Sequence, residues 1–164
     1  MSSVASPLAP SASALELVEF TLDEQRYAIP LAVVVQVIPM VALTPLPKAP
    51  AIVLGAFELR GRILPVLDIR QRFRLPARRP ALHDHLLVAS TKRRDVALIV
   101  DQVLGATSIS PDKLTSPETI SPNLEFLSGV AQLPEGLVLI HDLDTFLSLD
   151  ETAALDSALA AEKP

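Results

Sequence analysis

The chain has 164 residues, 49% hydrophobic but only 4% aromatic, with a net charge of −5. That length buries a real core as one domain or two small intimate ones, and the core must be built mainly from Leu, Val, Ile and Ala. With no cysteine, disulfides, thiolate chemistry and cysteine-ligated metals are excluded, which fits a reducing compartment.

The N-terminal stretch MSSVASPLAPSASA carries no Lys or Arg and no unbroken apolar run. It fails as a signal peptide and reads as a disordered tail over residues 1–14. Short Val-, Ile- and Leu-rich segments between turn signals then predict strands rather than long helices. The first are Leu17–Leu22 and Tyr27–Ile29, joined by a hairpin turn over Asp23–Arg26, and then Val34–Ile38. The longest apolar stretch, Leu31–Leu43, is broken by Gln36 and Pro39 and falls short of the roughly 20 residues a membrane span needs. The expectation is a soluble, cytoplasmic protein without direct membrane insertion.

After a proline-rich connection, Thr44–Pro50, come strands Phe57–Leu59 and Ile63–Leu67. Pro65 lacks an N–H, so that strand is expected at an edge or bulged. Asp68 is placed to cap a short turn reaching Phe73 and to pair with Arg72 four residues on. Strands Leu86–Ser90 and Val96–Val100 flank a hairpin with Lys92, Arg93 and Arg94 at its tip. Leu104–Ile109, Gly129–Leu133 and Leu137–Ile140 follow. Leu149-Asp150-Glu151 then opens a helix over Thr152–Glu162, with Ala153, Leu155, Ala158 and Leu159 available for contact. Val66, Leu67, Ile99, Val100, Leu139 and Ile140 are expected in the core.

An internal echo runs through this order. Gly55-Ala56-Phe57-Glu58-Leu59 leads to Gly61, an apolar strand, Asp68 and a short turn. Gly129-Val130-Ala131-Gln132-Leu133 leads to Gly136, an apolar strand, Asp142 and a short turn. The repetition suggests two similar β modules.

Charge is unevenly distributed. Residues 58–100 hold ten Lys and Arg against four acids, and residues 101–164 hold two against eleven. Such poles serve partners or lie on solvated faces. Phe73 is the only interior aromatic of the basic stretch, so the stacking pattern of a nucleic-acid binder is missing. His83 and His85 would share one strand face with Asp84 on the other, two metal ligands at most, and His141 could join only through folding. Asp142 and Asp144 fit a helix start better than an acid–base pair. No nucleophile elbow, phosphate loop or dinucleotide fingerprint is present. The reading is a non-enzymatic protein with no cofactor, metal or catalytic residue.

One stretch remains, residues 57–73, FELRGRILPVLDIRQRF, with two arginines around a glycine at the mouth of an apolar strand. An arginine there is a catalytic clamp, a nucleic-acid finger, a structural ion-pair member or a handle for another protein. The stretch resembles the CheW-like domain family of chemotaxis coupling proteins. The likeness begins at Leu17-Val18-Glu19-Phe20-Thr21-Leu22 with Tyr27 and Ile29, and includes Pro45–Pro50. It is most specific in Gly55-x-x-x-Leu59-Arg60-Gly61-x-Ile63-x-Pro65-Val66-x-Asp68-x-Arg70-x-Arg72-Phe73. It continues through Val100-Asp101-x-Val103, Glu125-Phe126-Leu127-Ser128-Gly129 and Leu155-Asp156-Ser157.

The resemblance implies an all-β fold of two packed five-stranded SH3-like barrels over residues 15–148, with a C-terminal helix and tail over 149–164. It implies an adaptor without activity that couples a chemotaxis-type histidine kinase, through its regulatory domain, to the cytoplasmic tips of chemoreceptors in arrays. An adaptor of a specialised signalling system without receptor arrays is the alternative. By the same likeness, Arg60, Gly61, Glu58, Arg62, Val35 and Val37 form the partner-binding face. The family usually carries Asn where Glu58 stands, and Glu where Val37 stands as partner to the motif arginine. Strand alternation places Glu58 beside Arg60, so the acid is expected to have been rebuilt locally.

Overall fold

The computed structural model describes residues 14–115 and 127–162. The expected N-terminal tail, except Ala14, and residues 125 and 126 of the Glu125–Gly129 motif lie outside the described residues. Among the described residues eleven strands are present: β1 (Leu15–Leu22), β2 (Gln25–Pro30), β3 (Val34–Pro39), β4 (Val53–Leu59), β5 (Arg62–Leu67), β6 (His85–Ser90), β7 (Asp95–Val100), β8 (Gln102–Ile109), β9 (Leu114–Thr115), β10 (Leu127–Leu133) and β11 (Gly136–His141). They are followed by one helix, α1 (Leu149–Glu162). The ten strands expected from sequence are all found; β9, two residues long, carries too little pattern to be read.

The strands form a six-stranded sheet in the order β8-β1-β2-β11-β10-β9 and a five-stranded sheet in the order β3-β6-β7-β5-β4. The two orders are the same arrangement used twice. In the first, β11 joins β2 in parallel, and in the second β5 joins β7 in parallel. Beyond β4, Thr44 bridges Ala56, in the place that β9 takes beside β10. Gly55 permits that bridge, because a Cβ there would meet the Thr44 carbonyl oxygen at 2.7 Å. The two aspartates of the sequence echo act alike. Asp68 accepts the Arg70 N–H at 3.2 Å and Asp142 accepts the Asp144 N–H at 3.0 Å, each opening a 3-10 turn. The architecture is all-β and two-module, as the sequence reading has it. The chain interleaves the modules, since β1 and β2 open the first sheet, β3–β7 build the second, and β8 returns to the first.

Each sheet curls around its own apolar interior. One cluster draws Ile38, Phe57, Leu64, Val66, Leu86, Val88, Ala97 and Ile99 from all five strands of the second sheet. Another draws on all six strands of the first, including Leu17, Ala28, Val138 and Ile140. The third and largest cluster lies between the modules: Val18, Phe20, Leu22, Tyr27 and Ile29 from the first meet Leu67, Leu87, Val96, Leu98 and Val100 from the second. Alternate residues of one strand thus serve two cores. In β7, Ala97 and Ile99 point into their own module while Val96, Leu98 and Val100 face the shared core. This double burial is why these strands read as continuous apolar runs.

Three expectations need correction. Pro65 is not on an edge strand, because β5 lies between β7 and β4. β5 pairs with β7 only at Val66 and Leu67, so the proline sits where that ladder stops; the bulge falls instead on β4, between Val53 and Gly55. Leu139 is half-buried at the margin of the shared core, while the other five expected core residues are buried. Along α1, Leu155 and Ala158 are buried and Leu159 is half-buried, but Ala153 is exposed.

Leu98 is fully buried and pairs with Leu87 on one side and Leu67 on the other, at the centre of the shared core. Leu98→Ala is therefore expected to cost ~2–5 kcal/mol, read as a shift of the urea midpoint. A loss below ~1 kcal/mol would contradict a tightly packed junction.

Candidate functional site

β4 and β5 are joined through a two-residue turn, Arg60-Gly61, closed by the pair Leu59↔Arg62. Both turn residues have positive φ, +53° at Arg60 and +80° at Gly61. This is the twist-matched type I′ hairpin, which favours Asn or Gly at its first position. An arginine there carries a left-handed backbone at a cost of about 1–2 kcal/mol. The side chain is exposed, and among the described residues no carboxylate pairs with it. Glu58 is exposed too, but it belongs to the strand whereas Arg60 belongs to the turn. Strand alternation therefore stops short of Arg60, and no Glu58–Arg60 ion pair forms. Arg62, itself exposed, reaches the half-buried Asp95 carboxylate at 3.1 Å, a pair that solvent at the arginine keeps weak.

Val35 and Val37 lie on β3, the opposite edge of the same sheet, and are 48% and 40% exposed. Val37 stands opposite Leu87, so it flanks the place where the shared core reaches the surface. Its exposure would let a glutamate stand there without desolvation. Ile38 from β3 and Leu59 from β4 pack on one interior cluster; among the described residues, no hydrogen bond or ion pair ties the valines to the Arg60 turn. The six residues form two exposed patches on the second module.

What the sequence reading missed is an ionic junction elsewhere in the fold. Arg70, 5% exposed, contacts the Asp101 carboxylate at 2.9 and 3.1 Å and the Asp23 carboxylate at 2.8 Å. Asp101 also accepts the Asp23 N–H at 2.8 Å and an Arg78 N–H at 2.5 Å. Arg78 extends the chain to the fully buried Asp84 carboxylate at 2.9 and 3.2 Å. Five side chains from the β1–β2 turn, the turn after β5, the β7–β8 crossing and the loop before β6 are thereby locked together. Arg70 and Asp101 both stand in motif positions; their mutual role is invisible until the fold brings them together.

The electrostatics follow. Burial works against ionisation of Asp101, but the Asp23 N–H and the Arg70 and Arg78 guanidiniums outweigh it and hold the carboxyl below the usual carboxylate range. Asp68, beside the Arg70 backbone, is pushed up by burial, only partly offset by the Arg70 N–H.

Arg72 does not serve Asp68 as expected but reaches the Phe146 carbonyl at 2.7 Å and the Glu151 carboxylate. Ser148 and Glu151 cap each other's backbone N–H at 2.9 and 3.1 Å. This capping box was legible in Ser148-x-x-Glu151 and marks the true start of α1. Arg93 and Arg94 at the β6–β7 tip pair with Asp156 of α1. Five arginines of the basic stretch, Arg70, Arg72, Arg78, Arg93 and Arg94, thus pair with acids of the C-terminal stretch. His141 is buried among Tyr27, Phe73 and Phe146, while His83 is exposed. Among the described residues no three His, Asp or Glu gather as a metal site, and no helix is long and apolar enough to cross a membrane.

A family model described as CheW-like domain matches residues 16–151. The chain is 30% identical over 141 residues to a chemotaxis protein CheW of Rhizobium meliloti (strain 1021), covering 85% of this chain and 91% of that one. It is 32% identical over 135 residues to protein FrzA of Myxococcus xanthus, covering 82% and 84%. The crystal structure of the scaffolding protein TtCheW from Thermoanaerobacter tengcongensis superposes with a TM-score of 0.75 at 25% identity, covering 84% of this chain and 94% of that one.

The folded pKa of Asp101 lies below its unfolded value of ~3.9. Its contribution to stability is therefore complete above that value and lost as pH falls through the folded one. Asp68 has the opposite sign, a burden that sets in as pH rises through its raised value. Urea titrations from ~pH 3 to 7 should show Asp101→Asn less stable at neutral pH and with a flatter acid limb than the parent. Arg70→Ala should lose about 3 kcal/mol at neutral pH. An unchanged acid limb in Asp101→Asn would contradict the junction.

Proposed function

The chain belongs to the CheW-like domain family, non-enzymatic scaffolds of bacterial chemotaxis signalling, and on that premise we propose that it couples a chemotaxis-type histidine kinase to chemoreceptors. The kinase contributes its regulatory domain and the receptors their cytoplasmic tips. The working place is the cytoplasm, at receptor arrays under the inner membrane. The observation that carries this reading is the Arg60 turn: an arginine held in a left-handed conformation, exposed, and with no carboxylate partner among the described residues. Backbone strain and an unanswered charge together lack a stabilising role, and they are what a handle for an acidic partner surface requires.

Glu58, Gly61 and Arg62 complete the hairpin patch, with Gly61 taking the second left-handed position of the turn. Val35 and Val37 supply an exposed apolar patch on β3, at the edge of the second sheet. A second reading, an adaptor of a specialised system that works without receptor arrays, is favoured by one observation. Val37 leaves an exposed aliphatic side chain where the family usually carries an acid, and this changes the chemistry offered to a receptor.

Replacing Arg60 separates a handle from a structural residue. Arg60→Asn suits the turn better, so its stability should match or exceed the parent by up to ~1 kcal/mol. Binding to the kinase regulatory domain and to a receptor-tip fragment, measured by calorimetry, should weaken by about 2 kcal/mol. Loss of receptor binding together with kinase binding supports the array reading, and kinase binding with no receptor binding in the parent supports the second. An Arg60→Asn protein that binds both normally would remove the hairpin from the coupling face.

A further inference from the structure

Between β5 and β6 the chain makes a loop, residues 74–84, sequence RLPARRPALHD. It is pinned along its length. The Leu75 N–H donates to the Arg70 carbonyl at 3.0 Å, and Leu75 packs on the shared core. The Arg70 guanidinium donates to the Pro76 carbonyl at 3.3 Å. Arg78 is clamped by Asp84 and Asp101, and the Ala81 N–H donates to the Asp84 carboxylate at 2.7 Å. What this rigid frame presents outward is Leu82, 93% exposed, flanked by Arg79, Pro80 and His83, all exposed. Among the described residues neither Arg74 nor Arg79 has a carboxylate partner, in contrast to Arg70, Arg72, Arg78, Arg93 and Arg94. The Met40 N–H donates to the Asp84 carbonyl at 3.3 Å, which sets the exposed Val41 beside the loop's end.

An isolated exposed leucine on a mobile loop needs no explanation. Here a loop pinned by hydrogen bonds holds one three residues after Arg79, on the same segment as two arginines that no carboxylate of the described residues answers. We propose that this loop is a second docking surface, separate from the Arg60 turn, that takes an acidic protein segment carrying an aliphatic side chain. The carboxylates would answer Arg79 and Arg74, and the aliphatic group would cover Leu82 and Val41. A lipid surface fits less well, because juxtamembrane recognition uses clusters of four to eight cations. Single-stranded nucleic acid fits less well too, because the loop has no aromatic platform.

The probe is a synthetic helical peptide with Asp and Glu along one face and a single leucine, titrated into the ¹⁵N-labelled full chain. Shifts should be confined to Val41 and to residues 74–84, and binding should weaken as salt rises. Leu82→Ser and Arg79→Glu should each lower affinity at least tenfold, as should replacing the peptide's leucine by serine. Both substitutions lie outside the ion pairs and the core, so melting curves should overlay the parent. No shift in the loop, shifts centred on the Arg60 turn, or an unchanged affinity in Leu82→Ser would overturn the proposal. Co-sedimentation with phosphatidylglycerol vesicles that is lost in Arg79→Glu would assign the loop to a lipid surface instead. Self-association in sedimentation velocity that is lost in Leu82→Ser would assign it to a second copy of this chain. Either result overturns the acidic-segment reading.

Discussion

Asp101 lies at the one crossing from β7 in the second sheet to β8 in the first, and the two modules depend on how it is held. Its backbone N–H donates to the Thr21 carbonyl and its carboxylate gathers Arg70, Arg78 and the Asp23 N–H. Elements from both sheets therefore converge on one small anion. Buried ion pairs contribute little net energy, because desolvation offsets much of the attraction. They are costly to break and strict in geometry, so they govern alignment more than strength. The strength comes from the shared core, where Phe20, Tyr27 and Phe73 stack in sequence with His141. The ionic junction sets how that core is registered between the sheets.

The doubled plan explains where function is placed. Both modules use the strand order that joins two hairpins in parallel, and in both one hairpin, β4–β5 or β10–β11, is followed by an aspartate-capped turn. They diverge after that cap. The first copy continues into Arg70, Arg72 and the pinned basic loop, whereas the second continues into α1. The two continuations meet, since Arg72 reaches Glu151 and the Phe146 carbonyl. Repetition supplies the stable frame, and the departures from repetition carry the exposed charged groups. The Arg60 turn is one such departure. Its counterpart between β10 and β11 is Pro134-Glu135, without the pair of left-handed residues.

The charge asymmetry that suggested two poles has largely an internal meaning. Arginines of the basic stretch pair with Asp101, Glu151 and Asp156 of the acidic one, so the long-range field is partly closed within the molecule. Among the described residues, the cations of that stretch left without a carboxylate, Arg60 on the hairpin, Arg74 and Arg79 on the loop and Lys92 at the β6–β7 tip, then stand out as points rather than as a patch.

Strand positions, the hairpin turns, the repeated capped turn and α1 were legible along the chain, because alternation, turn residues and caps are local and act within a few residues. The family likeness was legible for the same reason, as an ordered set of local motifs. The Arg70–Asp101 pair spans 31 positions and the Arg72–Glu151 pair 79, and no local rule ranks such partners. Arg72 could serve Asp68 or Glu151 equally well by charge, and only the packing of α1 against the turn after β5 decided it. Pro65 was misplaced for a related reason. Its missing N–H is a local fact, but whether a neighbour seeks that N–H depends on where the β7 ladder ends. Likewise, alternation set Glu58 beside Arg60 only if β4 continued; the left-handed turn ended the strand one residue earlier and turned the arginine away.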